Sequence, residues 1–223
     1  MKNQNRVNAG KTSKLLGHHN EHKICSWLNE TFDGSFIVDG KPNTKVDILD
    51  TKNEISYSVK SVSKKHTQCH LTSSKRWCEH FQIDGKLGNW FMQFFGVPGI
   101  DVSEGKSRRH RLTRSQIEFE LNDLAYSWFN DHMIEIFDII IARGMNDTPV
   151  NKLIWHQKSN DQKQIYDVND LRELVKQGEW IMNETTLHFI TDENKMFHLQ
   201  MKGSGKKYTS GYHSMMFHVH KCF

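Results

Sequence analysis

The sequence predicts a mixed α/β fold, with a central β-sheet flanked by helices and β-rich structure at the C-terminus. Three observations predict it. Alternating apolar and polar residues mark strands in the first third of the chain, apolar residues at helical spacing mark helices in its middle, and short apolar runs recur beyond residue 150. With 223 residues, three prolines and no evident linker or repeat, residues 1–223 are expected to form one domain.

The first half of the chain is expected to start with a helix and continue with strands. Ile24, Cys25, Leu28 and Phe32 recur at helical spacing, which predicts a helix over about 18–31. Three extended runs follow, and the polar turn 50–54 joins the last two. The predicted strands are 35–38, 44–49 and 55–62, and helices are predicted over 72–81 and 87–95.

A long helical region occupies the middle of the chain. Thr113 with Gln116 three residues later resembles a capping box, so a helix is expected to begin there. A second helix over about 131–142 is expected to end at Gly144. The apolar stripe of the first helix is Ile117, Leu121, Leu124, Ala125 and Trp128. Beyond the second helix, strands are predicted near 152–157, 187–190, 197–202 and 215–220, with a short helix near 168–176.

Composition excludes several classes of protein. The chain is 36% hydrophobic with a mean hydropathy of −0.68, and no run approaches the ~20 apolar residues of a membrane span. The N-terminus carries basic residues without an apolar block behind them, which argues against a secretory signal. Cys25, Cys69, Cys78 and Cys222 lie far apart and are expected to be reduced thiols. These features predict a cytoplasmic protein with no membrane partner.

The distribution of charge favours a polyanionic partner. The net charge is only +4, but five basic residues lie between positions 106 and 114, and five lysines and no acid follow Glu193. Two basic stretches in a nearly balanced protein suggest one positive face. Solvated loops are the alternative for either stretch alone.

Two groups of histidines and cysteines have the residue types of a zinc site without its usual spacing. In the second group, alternation along a strand places His218 and His220 on one face and Phe217 and Val219 on the other, so a polar sheet face is the expected explanation. The groups are Cys69, His70, Cys78 and His80, and His213, His218, His220 and Cys222.

One hairpin carries the residues of a hydrolytic site. If 44–49 and 55–62 pair, Asp47, Ser58 and Lys60 share one face, while Val46, Ile48, Val59 and Ser61 share the other. A carboxylate holds a hard divalent cation, and a lysine positions water and offsets charge at a phosphoryl group. The alternative is an ordinary cross-strand pair on the surface.

Asp47 followed by Ser58-Val59-Lys60 resembles the core of the PD-(D/E)xK nucleases. Further segments, in the same order along the chain, resemble the short type II restriction endonucleases of the MspI-like branch, which cut short CpG-containing sites. Two departures stand out: valine occupies position 46 instead of proline, and Ser58 replaces the acid of the motif. The further matching segments are 10–14, 19–24, 60–65, 75–77, 113–144, 153–157, 199–205 and 216–219.

The resemblance implies a type II site-specific deoxyribonuclease. Such an enzyme hydrolyses double-stranded DNA at a short palindrome, leaves 5′-phosphate and 3′-hydroxyl ends, and uses Mg²⁺, for which Mn²⁺ substitutes. The implied metal ligands are Asp47, the carbonyl of Val59 and Glu21 as a supplementary carboxylate; Ser58 and Lys60 complete the catalytic set. The catalytic core would span about 18–158 and the DNA-recognition part about 185–223.

The resemblance and the basic stretches together suggest where DNA would be held. The loop from Ser63 to His70 follows the Lys60 strand, arginines beyond position 106 add phosphate contacts, and amide, ammonium and glycine residues near 200–205 suit readout of bases. The expected DNA contacts are Ser63, Lys64, Lys65, His66, Gln68, Arg108, Arg109, Arg111, Gln200, Lys202, Gly203, Ser204, Gly205 and Ser210.

Two alternatives remain open: a nicking or repair nuclease on the same fold, and a DNA-binding module that lost catalysis with the acid at position 58. The sequence does not choose between a monomer that acts twice and a homodimer. A cognate DNA methyltransferase in the same cell, without direct binding, is implied by the resemblance alone.

Overall fold

The computed structural model describes residues 2–39, 41, 44–63, 65–95, 112–145, 149–192, 194–201 and 215–220, with side chains from Leu15 onward. The chain divides into two compact units. The first comprises Met1–Ser63 and Ala142–Asn169, and the second Lys64–Ile141 and Asp170–Phe223. The segment 18–158, expected to hold the catalytic core, therefore contributes to both units.

The first unit is built on a five-stranded mixed sheet, which confirms the predicted class of fold. The strand order is β1-β2-β3-β5-β6; β3 and β5 run parallel, and the other neighbours are antiparallel. The strands are β1 (Phe36–Val38), β2 (Ile48–Asp50), β3 (Ile55–Val62), β5 (Lys152–Gln157) and β6 (Gln162–Asp167).

Helix α1 (Lys2–Thr31) covers one face of this sheet and begins earlier than predicted. Ile24 and Leu28 are fully buried and pack in one cluster with Ile48, Tyr57 and Ile154. Alternation along β2 and β3 then turns their remaining side chains to the opposite face. The expectation that Phe32 continues the helical stripe is wrong, because α1 ends at Thr31 and the Phe32 side chain is exposed.

The second unit contains an antiparallel five-stranded sheet in the order β4-β10-β9-β8-β7. The segment 63–70 was expected to form a loop, but residues 66–70 belong to β4, an edge strand of this sheet. The segment lacks the alternation of apolar and polar residues that identifies a half-buried strand from sequence. The strands are β4 (His66–Thr72), β7 (Glu179–Met182), β8 (Thr186–Thr191), β9 (Asn194–Met201) and β10 (Met215–His220).

Helices of the second unit enclose an aromatic core. Trp90, Phe91 and Phe129 are fully buried, and the Trp90 indole donates a hydrogen bond of 3.0 Å to Asn122. None of the described helices is both long and apolar enough to cross a membrane. The helices are α2 (Ser74–His80), α3 (Gly85–Phe95), α4 (Phe119–Asp131), α5 (Met133–Phe137), a π-helical turn (Asp138–Ala142) and α6 (Val168–Val175).

The predicted start of the long central helix is wrong. Thr113 N–H donates to Gln116 Oε1 at 3.0 Å, as in a capping box, but this contact closes the 3₁₀ turn Arg114–Gln116, and α4 begins at Phe119. Leu124 is 41% exposed and lies outside the buried stripe. The prediction that the second helix ends at Gly144 is confirmed, since Gly144 has a φ of +71°, which favours glycine.

The buried carboxylate of Asp50 ties β1, β2 and the following turn together. Its oxygens accept hydrogen bonds from the backbone N–H groups of Ser35, Lys52 and Asn53 and from the Asn53 side chain. Burial opposes ionisation of Asp50, but these hydrogen bonds outweigh burial and hold its pKa below the ordinary value.

Replacing Asp50 by asparagine is expected to lower the free energy of unfolding by about 1–3 kcal/mol, because hydrogen bonds to a charged acceptor are lost. Folding lowers the pKa of Asp50, so its contribution is complete above the unfolded pKa of about 3.9 and is lost as the pH falls through the folded pKa. Urea denaturation from pH 7 to pH 3 measures both effects.

The matched control is Asp33→Asn, which removes an exposed carboxylate that pairs with Lys52 in the same region. An Asp50→Asn variant as stable as the Asp33→Asn variant at pH 7 would contradict the role assigned to Asp50.

Candidate active site

The hairpin of β2 and β3 brings Asp47 beside Ser58 and Lys60. The pairing of Ile48 with Tyr57 continues one residue further, where the Asp47 N–H donates to the Tyr57 carbonyl at 2.8 Å. Asp47 therefore lies across from Ser58, and Lys60 follows two residues along β3 on the same face. This face is opposite to the one that α1 covers through Ile48 and Tyr57.

A short network of hydrogen bonds joins the three side chains. Oδ2 of Asp47 accepts from the Val59 N–H at 2.6 Å and from the Ser58 hydroxyl at 3.2 Å. The Lys60 ammonium donates to Ser58 Oγ at 2.8 Å and lies 3.9 Å from Asp47 Oδ2. Ser58 thus bridges the ammonium and the carboxylate.

The network is sheltered from solvent. Ser58 is fully buried, and the side chains of Lys60 and Asp47 are 13% and 22% exposed. Charges in such a setting are screened less than charges on an open surface. The Asp47–Lys60 pair is therefore not the exposed cross-strand pair that was the alternative interpretation of the sequence.

The donor atoms at this site suit a hard divalent cation. All described contacts to the Asp47 carboxylate reach Oδ2, which leaves Oδ1 for a ligand. The Val59 carbonyl, which accepts from Lys60 at 3.4 Å, is a second oxygen at the same place. Because Mg²⁺ is commonly held by one or two carboxylates with water and substrate phosphate, one carboxylate is a sufficient protein anchor.

The structure does not bring Glu21 to this pair through any described contact. Its carboxylate pairs with His18 at 2.9 Å, and α1, on which it lies, packs on the opposite face of the sheet from Asp47 and Lys60. The described geometry gives no support to Glu21 as a ligand alongside Asp47.

On the α1 side of the sheet, Ser61, His156 and Asp161 form a line that resembles a hydrolase triad. Ser61 Oγ lies 3.2 Å from His156 Nδ1, and His156 Nε2 lies 2.7 Å from Asp161 Oδ1. His156 is buried, and burial lowers its pKa despite the opposing effect of Asp161. Asp161 also pairs with Lys23 of α1 and with Lys163, so the line serves to hold α1 to the β5–β6 hairpin.

Three of the expected DNA contacts share one polar face of the second sheet. Gln68 lies opposite His218 in the register of β4 and β10, and His66 lies opposite His220. Gln200 on β9 approaches His218, with Nε2 atoms 3.2 Å apart. Hydrogen-bonding side chains from three neighbouring strands thus form one continuous surface.

His198 belongs to the same face and was not among the predicted site residues. Burial, assisted by the charge of neighbouring imidazoles, lowers the pKa of His198 to about 3 and that of His218 to about 4. Both imidazoles are therefore neutral at neutral pH and available as donors and acceptors. A sequence signal existed: a histidine followed two residues later by glutamine or histidine recurs at 66, 198 and 218.

Ser63 and Lys65, also expected to contact DNA, are exposed where β3 ends and just before β4 begins. The remaining expected contacts lie outside the described residues: Lys64, Arg108, Arg109, Arg111, Lys202, Gly203, Ser204, Gly205 and Ser210.

Comparisons with known proteins give two solved structures with weak overall likeness. The structure of restriction endonuclease MspI in complex with its cognate DNA has a TM-score of 0.48 and 12% identity, over 84% of this chain and 70% of that chain. HhaI endonuclease in complex with DNA has a TM-score of 0.36 and 14% identity, over 92% and 86%. No protein-family model and no curated protein matches the sequence. Likenesses at this level carry no argument about activity, which rests on the site itself.

Replacing Ser58 by alanine removes the bridge between Lys60 and Asp47. The ammonium then loses its shortest hydrogen bond inside a sheltered site, so the free energy of unfolding is expected to fall by about 0.5–1.5 kcal/mol. Chemical denaturation at neutral pH provides the measurement. Ser63→Ala is the matched control, because Ser63 is exposed just beyond the same strand. Equal stability of the two variants would show that the bridge contributes nothing.

Proposed function

We propose that the protein is a Mg²⁺-dependent endonuclease that hydrolyses double-stranded DNA at a short palindromic site, as a type II restriction enzyme does. The observation that supports it most is the sheltered Asp47–Ser58–Lys60 network, which presents a free carboxylate oxygen and an ammonium on one face of two neighbouring strands. In metal-assisted hydrolysis of a phosphodiester, such a carboxylate can hold the cation and such an ammonium can offset charge at the phosphoryl group.

In the proposed mechanism, Oδ1 of Asp47 and the Val59 carbonyl hold the cation. When bound, Mg²⁺ supplies positive charge at the scissile phosphate and makes water more acidic. The Val59 N–H and the Ser58 hydroxyl fix the Asp47 carboxylate, so its free oxygen is oriented before the substrate arrives. Hydrolysis would leave 5′-phosphate and 3′-hydroxyl ends.

Lys60 would act on the attacking water and on the charge that develops at the phosphoryl group. Its Nζ is held by Ser58 at 2.8 Å, so little side-chain freedom remains to be lost during the reaction. An ammonium with 13% exposure acts on a nearby phosphoryl oxygen with less screening than a surface lysine. Glu21 takes no part in this mechanism, because no described contact joins it to Asp47.

The polar face of the second sheet is the proposed surface for reading bases. Glutamine amides make paired hydrogen bonds to adenine, and an imidazole hydrogen-bonds through its two ring nitrogens. His66, Gln68 and Gln200 supply these groups from β4 and β9. Ser63 and Lys65 are proposed to contact the phosphate backbone, as are the basic residues beyond position 106.

A second candidate function rests on one observation. Asp47 is the only carboxylate in the described network, because Ser58 occupies the position of the second acid. A DNA-binding module that has lost catalysis would show the same replacement. Cleavage assays distinguish the two functions.

Purified protein incubated with plasmid DNA and Mg²⁺ is expected to give discrete fragments, whereas relaxed circles alone would indicate a nicking enzyme. Asp47→Ala and Lys60→Ala are each expected to lower the cleavage rate by about 10²-fold or more, since each removes a group that acts on the transition state. DNA binding, measured in EDTA by fluorescence anisotropy, is expected to persist in both variants.

Lys52→Ala is the control for loss of one positive charge, because Lys52 lies in the same hairpin but is exposed and pairs with Asp33. If the wild-type protein binds DNA yet leaves it intact with both Mg²⁺ and Mn²⁺, the catalytic proposal fails and the binding module is favoured.

Gln200→Ala is expected to relax sequence preference, because a paired hydrogen bond to a base contributes about 1–3 kcal/mol of discrimination. Selection of bound duplexes from a random pool, for both wild type and variant, measures this preference. Gln177→Ala, an exposed glutamine after α6, is the control. An unchanged selected sequence would remove Gln200 from the reading surface.

A further inference from the structure

Three histidines of the second sheet lie within reach of one ion. A ring nitrogen from each of His66, His198 and His218 lies within 4.8 Å of the others. They come from β4, β9 and β10, which are neighbours in the sheet, so the pairing of strands brings together residues that are far apart in the sequence. In the described part of the chain, no other group of three such side chains is as close.

The three rings are in direct contact with one another. The imidazoles of His198 and His218 stack with centroids 4.3 Å apart and planes 12° apart. His66 stands nearly perpendicular to both, with centroids 5.1 Å from His198 and 5.0 Å from His218. Because His66 is exposed and the other two are buried, the cluster is open to solvent on one side.

The buried part of the cluster has an unused nitrogen. His218 is only 9% exposed, and its Nδ1 is buried without a hydrogen-bond partner among the described residues. A buried polar atom without a partner is costly, and a bound ion is one of the explanations for such an atom in a native structure. This observation is independent of the spacing of the three rings.

We propose that His66, His198 and His218 bind one transition-metal ion of the Zn²⁺ class, with a water on the exposed side as fourth ligand. Imidazole nitrogens suit Zn²⁺, whereas Mg²⁺ prefers oxygen, so this site differs in chemistry from the one at Asp47. A tetrahedral ion with Zn–N of about 2.1 Å places the nitrogens about 3.4 Å apart. Binding therefore requires side-chain rotation, for which the exposed His66 ring has the most room.

The bound ion would tie the edge strand β4 to β10 and β9. Gln68 and Gln200 lie beside the proposed ligands, so metal binding would also fix the surroundings of those amides. The site does not depend on the nuclease proposal, because it is read from spacing and burial in the second unit alone.

The test is titration of ZnCl₂ into metal-free, tag-free protein by isothermal calorimetry, with Co²⁺ absorption as a report on tetrahedral coordination. The wild type is expected to bind with at least tenfold higher affinity than His66→Ala and His218→Asn. His80→Ala removes an exposed histidine of the same unit and is expected to bind as the wild type does. Because His66 is exposed, its variant should keep the melting temperature of the metal-free protein.

Two results would overturn the proposal. One is a wild-type protein that shows no Zn²⁺ binding at micromolar concentration. The other is binding that His66→Ala leaves unchanged, which would place the ion on other histidines of the chain. Neither outcome depends on DNA cleavage with Mg²⁺, so the histidine metal site and the proposed nuclease activity are tested independently.

Discussion

The hydrogen bond from the Val59 N–H to Oδ2 of Asp47 is the contact on which the candidate active site depends. It is possible because the backbone pairing of β2 with β3 ends at Asp47 and Tyr57, so the next N–H of β3 on that side, that of Val59, is met by the Asp47 side chain. A shift of one residue in the pairing of β2 with β3 would place Asp47 and Lys60 on opposite faces of the sheet. The apolar cluster of Ile48, Tyr57 and Ile154 opposes that shift, because the shift would expose apolar side chains that are now buried.

Serine at position 58 gives the site a different electrostatic balance from one with two acids. Two neighbouring carboxylates repel each other when no cation is present, and one of them then resists ionisation. Here Asp47 faces a hydroxyl and an ammonium, so the network is satisfied without a metal. A cation at this preorganised site would find fewer protein oxygens than at a site with two acids.

The two sheets stabilise sheltered polar groups in different ways. The first keeps a charged pair and satisfies it with hydrogen bonds, whereas burial in the second lowers the pKa of His198 and His218 and keeps both imidazoles neutral. Neutral imidazoles avoid the repulsion that neighbouring charged rings would create. Each also keeps one ring nitrogen as a hydrogen-bond acceptor.

Sequence by itself determined the class of fold, the strands β3, β5 and β10 and the shared face of Asp47, Ser58 and Lys60, because alternation of period two is a local property. It did not show β4, β6 and β7, all edge strands whose polar or short segments carry a weak pattern. Only the tertiary structure decided that α1, with Glu21, packs on the other side of the sheet from Asp47. It alone joined His66, His198 and His218, because antiparallel register, not spacing along the chain, makes them neighbours.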